Sequence, residues 1–395
     1  MSKPANPKWD YFSYIDKLPV EQQEIIQQVE QKVASKIAPL AEHAWATSEF
    51  PFEVIPLVRD LEFTQYRYPE VSGYPEYGGV FRGFLNLALS RRDASLSVFA
   101  GVHSGLAMES IYRGGGPELI ERVFPAMMEW EKIGCFGLTE PAGGSDVAGG
   151  MRTTARRDGD RWVLNGRKRW IGNGTWADYL VIYARDVADN QVKAFLVEKG
   201  SPGLVTTKIE GKIALRTVQN ADITLTDVVI AESNRLQEIN TWRDCAHKIL
   251  TRTRGDVGWL AVAVGSRAYE LAREYSMQRE QFGKPIGSYQ LIQDKLFTML
   301  SNVTAMLGNV VRFAELSDAG EATDAQASLV KGFNTSKLRE VVALGRDLFG
   351  GNGIVLSYGI GRAFDDAEAL YSFEGTKEMN TLIVGKDITG LSAFV

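Results

Sequence analysis

The first third of the chain alternates apolar and polar positions with the period of an α-helix. Between Val20 and Leu40, apolar side chains recur every three or four residues, a spacing that places them on one face of a helix. The pattern continues, with breaks at prolines, to about Trp130. Asp93 precedes a run of small and apolar residues, as a helix N-cap does. We therefore predict an N-terminal helical domain over residues 1–133.

The pattern changes between about Gly134 and Ile230, where short runs of β-branched and aromatic residues replace the helical period. Such runs are typical of strands. They are separated by residues that favour the tight turns of hairpins: Asp158-Gly159, Asn165-Gly166 and Ser201-Pro202-Gly203. We predict a compact antiparallel β domain over residues 134–240.

After about Thr241 the helical period returns in long segments that contain alanine, leucine and glutamate. The predicted helices are Asp256 to Arg279, Tyr289 to Leu316, Thr323 to Phe349 and Lys377 to Thr389. We predict a C-terminal four-helix bundle over residues 241–395. The fold class is therefore mainly α with a β insert between two helical blocks, which is neither a Rossmann nor a barrel topology.

Composition narrows the possible functions. The 395 residues are 45% apolar, and 44 Lys plus Arg against 49 Asp plus Glu leave a formal net charge of -5. This balance lacks the basic footprint of nucleic-acid binding, and the two cysteines and three histidines lack the short spacings of metal sites. No apolar run reaches the roughly 18 residues of a membrane span, and the amino terminus has no apolar signal-peptide region. We expect a soluble, cytoplasmic protein.

Neither a GxGxxG after a predicted strand nor a GxSxG elbow occurs in the chain. The glycine-rich pieces at 142–146 and 348–353, each taken alone, are more typical of turns or helix C-caps than of ligand sites. Five segments, however, occur in the order and at about the spacing of one enzyme family: 135–146, 168–173, 279–285, 350–353 and 373–376.

In these segments the chain resembles the acyl-CoA dehydrogenase superfamily of flavoproteins, and the resemblance covers almost the whole chain. It is closest to the branch of glutaryl-CoA dehydrogenases and plant short-chain acyl-CoA oxidases at 92–95, 102–104 and 374–382. The resemblance implies bound FAD and a homotetramer built as a dimer of dimers. It also implies α,β-dehydrogenation of an acyl-CoA thioester to a trans-2-enoyl-CoA, with electrons passed to an electron-transfer flavoprotein.

Glu374 is the predicted catalytic base. The reaction needs a base for the α proton and donors on the thioester oxygen, and a carboxylate in an apolar pocket has a raised pKa. The resemblance places the thioester oxygen on the Glu374 N–H, in the turn with Gly375, and on a ribityl hydroxyl of FAD. The alternatives are that Glu374 caps the following helix, or that the base is elsewhere. Some relatives place it at the position of Thr253, which cannot ionise, and Asp256 is a weak rival.

The resemblance assigns further residues to FAD and substrate. It implies that Ser145 meets the pyrophosphate and borders the substrate, and that Arg254 lies beside the substrate pocket. Taken without the family, Trp170 is typical of a β-domain core, Arg279 of a solvated helix face and Arg254 of a partner for a local acid. The implied walls of the flavin are Phe136, Leu138, Thr139, Trp170 and Ile171. The implied contacts of the adenine half from a neighbouring subunit are Arg279, Gln281, Phe282, Gln290 and Asp347 through Gly350 and Gly351. The remaining implied FAD contacts are Thr376, Glu378 and Phe394.

Two positions depart from the family pattern. Gly172 stands where dehydrogenases usually have a threonine whose hydroxyl reaches flavin N5, and the plant oxidases share this glycine. The alternative is therefore an acyl-CoA oxidase that uses O2. Ser97 stands where glutaryl-specific enzymes carry an arginine, and burial of a carboxylate without a cation is costly. We predict a neutral, short to medium acyl chain, with Leu96, Val98 and Phe99 as an apolar end wall.

Other functions stay open at this point. Glutaryl-CoA dehydrogenase is an alternative for the substrate. A flavin monooxygenase or a nitroalkane oxidase on the same fold is another, although those relatives tend to replace the glutamate that is present here. A helical binding protein that kept the fold and lost the chemistry belongs to a different class. Retention of Glu374, Thr139, Ser145, Trp170 and Arg279 together argues against it.

Overall fold

A computed structural model describes residues 8–147, 149–244 and 246–394. The amino-terminal residues 1–7, on which part of the signal-peptide expectation rests, and Cys245 lie outside them. The first part of the described chain is helical. Its helices are α1 (Val20–Lys32), α2 (Ala38–Thr47), α3 (Val54–Arg59), α4 (Phe63–Arg67), α5 (Pro69–Ser72), α6 (Gly79–Ser90), α7 (Ala94–Gly101), α8 (Met108–Gly114) and α9 (Pro117–Met128).

The N-terminal helices follow the predicted pattern. The side chain of Asp93 accepts a hydrogen bond from Leu96 N at 2.8 Å, so this residue caps α7 as expected. A π-helical segment, Val102–Ala107, joins α7 to α8. Within it, His103 Nδ1 accepts from Gly134 N at 3.0 Å, and its Nε2 donates to the carbonyl of Met127 at 3.0 Å. Because burial lowers the pKa of His103 to about 4, a neutral imidazole ties this segment to the sheet.

The middle part is one seven-stranded sheet in the strand order β1-β4-β2-β3-β7-β6, with β5 beside β4. Apolar side chains from β3, β4, β5 and β7 fill its core. The strands are β1 (Gly134–Gly137), β2 (Thr154–Asp158), β3 (Arg161–Ile171), β4 (Tyr179–Asp186), β5 (Val192–Glu198), β6 (Leu204–Lys208) and β7 (Ala221–Ala231).

Two details of the sheet differ from the sequence prediction. The sheet is mixed rather than wholly antiparallel, since β1 and β2 both pair in parallel with β4. Asn165-Gly166 does not form a turn but lies within β3, beside a register shift against β7. Gly166 has φ +150°, and a Cβ there would approach Thr153 Cα to 2.6 Å. The glycine therefore serves a close approach of two backbone segments.

The last part is helical again, with α10 (Ala246–Gln278), α11 (Gln290–Asp318), α12 (Asp324–Leu348), α13 (Ile360–Ser372) and α14 (Lys377–Thr389). A two-stranded hairpin of β8 (Glu280–Gln281) and β9 (Lys284–Pro285) precedes α11. The bundle of α10 to α12 and α14 was predicted, although α10 begins earlier than expected. The helical period did not predict α13, whose inner face includes the charged residue Asp366 as well as Ile360, Ala367 and Leu370.

Polar contacts join the helices to each other and to the rest of the chain. Asn334 of α12 donates to the carbonyls of Gly258 in α10 and Met306 in α11, at 3.2 and 3.0 Å. Buried Asp366 of α13 accepts from Trp45 Nε1 and from Leu215 N, at 3.0 and 2.7 Å. These bonds fix α13 and α12 against elements from all three parts of the chain. Across the described residues, no helix combines the length and the apolar character that a bilayer crossing requires.

Candidate active site

A cavity of about 1370 Å³ lies between the helices and the sheet. Its walls come from α6, α7, the ends of β1 and β3, α10, and the turn between α13 and α14. Pockets for drug-sized ligands are roughly 300–1,000 Å³, so this cavity has room for two ligands side by side. The predicted site residues that line it are Ser97, Phe136, Leu138, Thr139, Ser145, Trp170, Ile171, Gly172, Arg254, Glu374, Gly375, Thr376 and Phe394.

Glu374 lies in the turn between α13 and α14. Both Glu374 and Gly375 have positive φ, at 55° and 84°, and such a conformation is strained for a residue other than glycine. The hydroxyl of Thr253 donates to Glu374 Oε2 at 2.8 Å. The predicted alternative that Glu374 caps α14 is wrong, because Thr376 Oγ1 accepts from Met379 N at 3.3 Å and fills that role.

Two buried side chains hold the backbone of this turn. Lys331 of α12 is fully buried, and its Nζ donates to the carbonyls of Tyr371 and Gly375 at 2.8 and 2.7 Å. Asn380 Nδ2 donates to the carbonyls of Gly375 and Thr376 at 2.9 Å each. These bonds offset the strain at Glu374 and fix this residue at the wall of the cavity.

The surroundings of Glu374 favour a proton acceptor that titrates above an ordinary glutamate. Burial raises the pKa of Glu374 above its usual value. The Thr253 hydrogen bond and the positive charges of Arg254 and Lys331 oppose this shift, and nearby Asp256 adds to it. Arg254 also forms an ion pair with Asp324, so it pairs with a local acid while it lines the cavity. A base with a raised pKa is suited to proton transfer near neutral pH.

The opposite wall is formed by the sheet. Trp170 has φ +65° and a half-exposed ring that lines the cavity, so it is not a core residue. Arg169 N donates to the carbonyl of Thr139 at 2.8 Å, which joins the β1 loop to β3. Buried Lys168 donates to the carbonyl of Leu138 at 3.0 Å and to Glu140 Oε1 at 2.9 Å.

The remaining predicted FAD contacts lie outside the cavity lining and are exposed. Arg279, Gln281 and Phe282 stand at the β8–β9 hairpin, Gln290 begins α11, and Asp347, Gly350 and Gly351 follow at the end of α12. The ring of Tyr275 in α10 stacks on Phe349 with 4.1 Å between ring centroids, and Lys295 of α11 pairs with Asp347. These contacts gather the residues at one end of the C-terminal helices. Glu378 is separate from them, exposed in the first turn of α14.

Three features of the site were not anticipated. Leu96 and Phe99, predicted as an apolar end wall, are fully buried in the core, and of that set only Val98 lines the cavity. Lys168 and Lys331 were missed, although Lys331 interrupts the inward stripe that contains Ala327 and Val330. A lysine inside such a stripe is a signal, because a buried ammonium group requires hydrogen-bond acceptors.

The comparisons with known proteins agree with this geometry. The family models of the acyl-CoA dehydrogenase N-terminal, middle and C-terminal domains match residues 19–131, 135–228 and 243–389, respectively. The chain therefore belongs to the acyl-CoA dehydrogenase family and is an oxidoreductase. It is 30% identical to cyclohexane-1-carbonyl-CoA dehydrogenase of Geobacter metallireducens, over 92% of this chain and 96% of that protein.

Solved structures give the same result. A glutaryl-CoA dehydrogenase from Mycobacterium smegmatis in complex with FADH2 superposes with a TM-score of 0.92 and 31% identity, over 98% of both chains. Butyryl-CoA dehydrogenase from Megasphaera elsdenii superposes with a TM-score of 0.89 and 28% identity, over 94% of this chain and 98% of that one. The predicted superfamily, the branch near glutaryl-CoA dehydrogenase, the fold class and FAD as cofactor are confirmed.

The cavity residues fit FAD. The half-exposed ring of Trp170 and the side chains of Phe136, Leu138 and Ile171 offer apolar surface to a planar ring system, and covering such surface is favourable. Thr139 and Ser145 supply hydroxyl groups on the same lining. FAD, when bound, supplies the two-electron acceptor of the family reaction.

Proposed function

We propose that this chain dehydrogenates an acyl-CoA thioester at its α and β carbons, giving a trans-2-enoyl-CoA, with Glu374 as the base. One observation carries the proposal. The Glu374 carboxylate lines the cavity with its pKa raised by burial, and its turn is fixed by Lys331 and Asn380. In this arrangement the helices and the sheet enclose the α and β carbons of the substrate. Trp170 and Phe136 exclude water on the side of the sheet.

Each protein group has a defined part in the chemistry. Glu374 removes the α proton, and its carboxylate is held by the Thr253 hydroxyl at 2.8 Å. The backbone N–H of Glu374 donates to the thioester oxygen, which stabilises the enolate-like charge that develops there. The hydrogen on the β carbon leaves as a hydride, and bound FAD would supply the acceptor of its two electrons. Arg254 and Lys331 provide positive charge near the base, which keeps a useful fraction of it ionised.

Electron-transfer flavoprotein is the proposed acceptor of the electrons, and O2 is the second candidate. Gly172 favours the second candidate, since it offers no hydroxyl to the flavin. A Cβ at Gly172 would approach Val102 Cγ2 to 3.0 Å, so the π-helical segment leaves little room for a threonine. Turnover with O2 alone, compared with turnover with electron-transfer flavoprotein, distinguishes the two activities.

The substrate class and the oligomeric assembly are proposals as well. The substrate is a neutral acyl chain of short to medium length. The assembly is a homotetramer in which the exposed residues near the β8–β9 hairpin reach a neighbour's FAD. Exposed Phe282, Leu291, Phe297 and Ile354 support this, because they form apolar surface around those residues. The domain boundaries at 133/134 and 240/241 and the cytoplasmic location stay predictions.

Glu374→Gln tests the proposed base. We expect the purified variant to stay yellow and to bind acyl-CoA, since shape and hydrogen bonding are kept. Anaerobic reduction of its flavin by acyl-CoA falls by several orders of magnitude, because the proton acceptor is gone. Stopped-flow absorbance of the flavin measures this rate. Glu368→Gln is the matched control, since Glu368 lies on the surface of α13 and pairs with Arg339. Normal flavin reduction by Glu374→Gln would falsify the assignment.

A further inference from the structure

Part of the lining of the large cavity is polar, whereas an unsubstituted acyl chain needs apolar contacts. Arg67, Asn86, Ser104 and Asp256 line the large cavity, and they also line a second cavity of about 90 Å³ beside it. These four residues, which we call the polar wall, therefore stand between the two cavities. Phe63 is the fifth residue that both cavities share.

An ion pair forms the centre of the polar wall. Arg67 Nη1 lies 3.3 Å from Asp256 Oδ2, and the exposed fractions of the two side chains are 11% and 40%. On the protein side, Arg67 Nε lies 3.9 Å from Glu109 Oε2, and Arg252 donates to Glu109 Oε1 at 2.9 Å. The arginine is thus anchored in the protein, and the carboxylate of Asp256 keeps oxygen surface toward the cavities.

The wall also carries unused hydrogen-bonding capacity. Among the described residues, the side-chain amide of Asn86 has no protein hydrogen bond. Ser90, one turn later on α6, donates to the Asn86 carbonyl at 2.7 Å, so the Ser97 hydroxyl donates to Ser90 Oγ at 2.7 Å. The oxygen of Ser97 and the amide of Asn86 therefore remain available in the large cavity, which the Arg67 and Asp256 pair also lines.

The polar wall lies close to the base. Thr253, which bonds Glu374, and Asp256 are three residues apart on α10, which is about 4.5 Å along the helix axis. Carbon–carbon bonds are about 1.5 Å long. An acyl chain that starts with its α carbon beside Glu374 and runs along α10 covers this rise in about three or four bonds, near its fifth or sixth atom.

We propose that the polar wall selects acyl-CoA substrates whose chain ends, at this distance, in a neutral group that both donates and accepts hydrogen bonds, such as a hydroxyl or a carboxamide. This specificity rests on the dehydrogenation proposed above. Asp256 accepts from the terminal group, and Asn86 or Arg67 donates to it. A terminal methyl group in the same place would remove water from these side chains without offering them a hydrogen-bond partner.

The charges of the wall favour a neutral end over a carboxylate. The charge of Arg67 is already balanced by Asp256 at 3.3 Å and by Glu109 at 3.9 Å. A substrate carboxylate would face Asp256, and Glu374 about one helical turn away, as like charges in a cavity with reduced screening. The absence of an arginine at Ser97 acts in the same direction.

Four substrates test the proposal with the FAD-loaded enzyme. We compare kcat/KM for hexanoyl-CoA, for 5-hydroxypentanoyl-CoA, in which a hydroxyl replaces the last methyl group, for the monoamide of glutaryl-CoA, and for glutaryl-CoA. We expect the hydroxyl and amide substrates to exceed hexanoyl-CoA by about tenfold or more, since a site built for hydrogen bonds rejects an analogue that lacks them. Equal or higher kcat/KM for hexanoyl-CoA, or a preference for glutaryl-CoA, overturns the proposal.

Variants assign the effect to the wall. Asp256→Asn and Arg67→Met should each lower the ratio of hydroxyl to methyl substrate by about tenfold. Asp318→Asn is the matched control: Asp318 pairs with Arg82 at 3.4 Å and lines only the smaller cavity. Flavin absorbance and thermal unfolding verify folding, and Asp256→Asn serves if Arg67→Met does not fold. An unchanged ratio in Asp256→Asn overturns the proposal.

The outcomes also separate this inference from the proposed reaction. If none of the four substrates reduces the bound flavin, the dehydrogenation itself is wrong. If hexanoyl-CoA reduces it normally and the polar-ended substrates have no advantage, only the role of the polar wall is wrong.

Discussion

Two buried lysines hold the two sides of the cavity, and their electrostatic surroundings differ. On the sheet side, Lys168 donates to the carbonyl of Leu138 and to Glu140 Oε1, so its charge has a carboxylate partner at 2.9 Å. On the helical side, Lys331 donates to two carbonyl oxygens, of Tyr371 and Gly375. Burial lowers the pKa of each lysine to about 8, against the opposing effect of Glu140 on Lys168 and of Glu374 on Lys331.

Because their surroundings differ, the two lysines should act on different parts of the site. The charge of Lys168 is neutralised by Glu140 beside the proposed flavin wall, so we expect this lysine to position the loop and to have little influence on the proposed base. The charge of Lys331 acts mainly on Glu374, whose pKa it lowers while burial raises it. Lys331 is therefore a positioning residue that also tunes the base through its charge.

Of the substitutions that test this comparison, Lys331→Met should have the largest effect on the rate. It removes the side-chain donor of the Tyr371 carbonyl and leaves the Gly375 carbonyl with Asn380 as its remaining side-chain donor, which loosens the strained turn at Glu374. We expect flavin reduction to fall by about 10²-fold, as misplacement of a catalytic group by about 1 Å does. The acid limb of the pH profile of kcat/KM should move to higher pH, because removal of a nearby cation raises the pKa of Glu374.

Two further variants of α12 separate position from charge. Lys331→Gln keeps a donor and removes the charge, so it should recover part of the rate while the acid limb stays shifted. Lys337→Met is the surface control, since Lys337 pairs with Glu340 on the same helix at 2.9 Å. A slower Lys331→Met enzyme with an unchanged acid limb would show that the charge of Lys331 does not reach the base.

The bonds of the two lysines are features that the sequence alone does not predict. Helix and strand periods predicted the order of the three parts and most element positions, because those depend on local patterns. The resemblance of the motifs to one family implied Glu374 as the base and a flavin wall that includes Trp170. The bonds of Lys331 to Gly375 and of Lys168 to Leu138 join segments 44 and 30 residues apart. No local period encodes such contacts, and the Arg67 and Asp256 pair spans 189 residues.

Lys168→Met should mainly affect stability and cofactor binding. It leaves Glu140 as a buried carboxylate without its cation, although Arg152 N and Thr153 N still donate to it at 2.7 and 2.9 Å. Loss of one partner of a buried pair costs about 3–5 kcal/mol of unfolding free energy. We also expect weaker FAD binding, because the Leu138 carbonyl loses its anchor. Urea unfolding and FAD titration measure the two effects.

A second substitution tests the cause of that loss. Glu140→Gln in the Lys168→Met background removes the unpaired charge and should restore part of the stability. In contrast with Lys331→Met, the acid limb of kcat/KM should stay in place in both variants. A shift of that limb in Lys168→Met would mean that both lysines tune the base, and the proposed contrast between the two sides would be wrong.

The smallest expected effect is the pH dependence of stability at Glu374. Below the ordinary glutamate pKa of 4.5, the carboxyl is protonated in the folded and the unfolded chain, so it costs nothing. Above this pH the unfolded chain ionises first, since the folded pKa is raised. The native state then loses about 1.4 kcal/mol of unfolding free energy for each unit of pKa shift, until the pH passes the folded pKa.

Glu374→Gln removes this cost, so its gain in unfolding free energy should be near zero at pH 4 and larger at pH 8. Urea unfolding at both values measures it, with Glu368→Gln as control. In the Lys331→Met background the gain should increase, because the cation that opposes the shift is absent. A gain that shrinks as pH rises would mean that Thr253, Arg254 and Lys331 outweigh burial at the base.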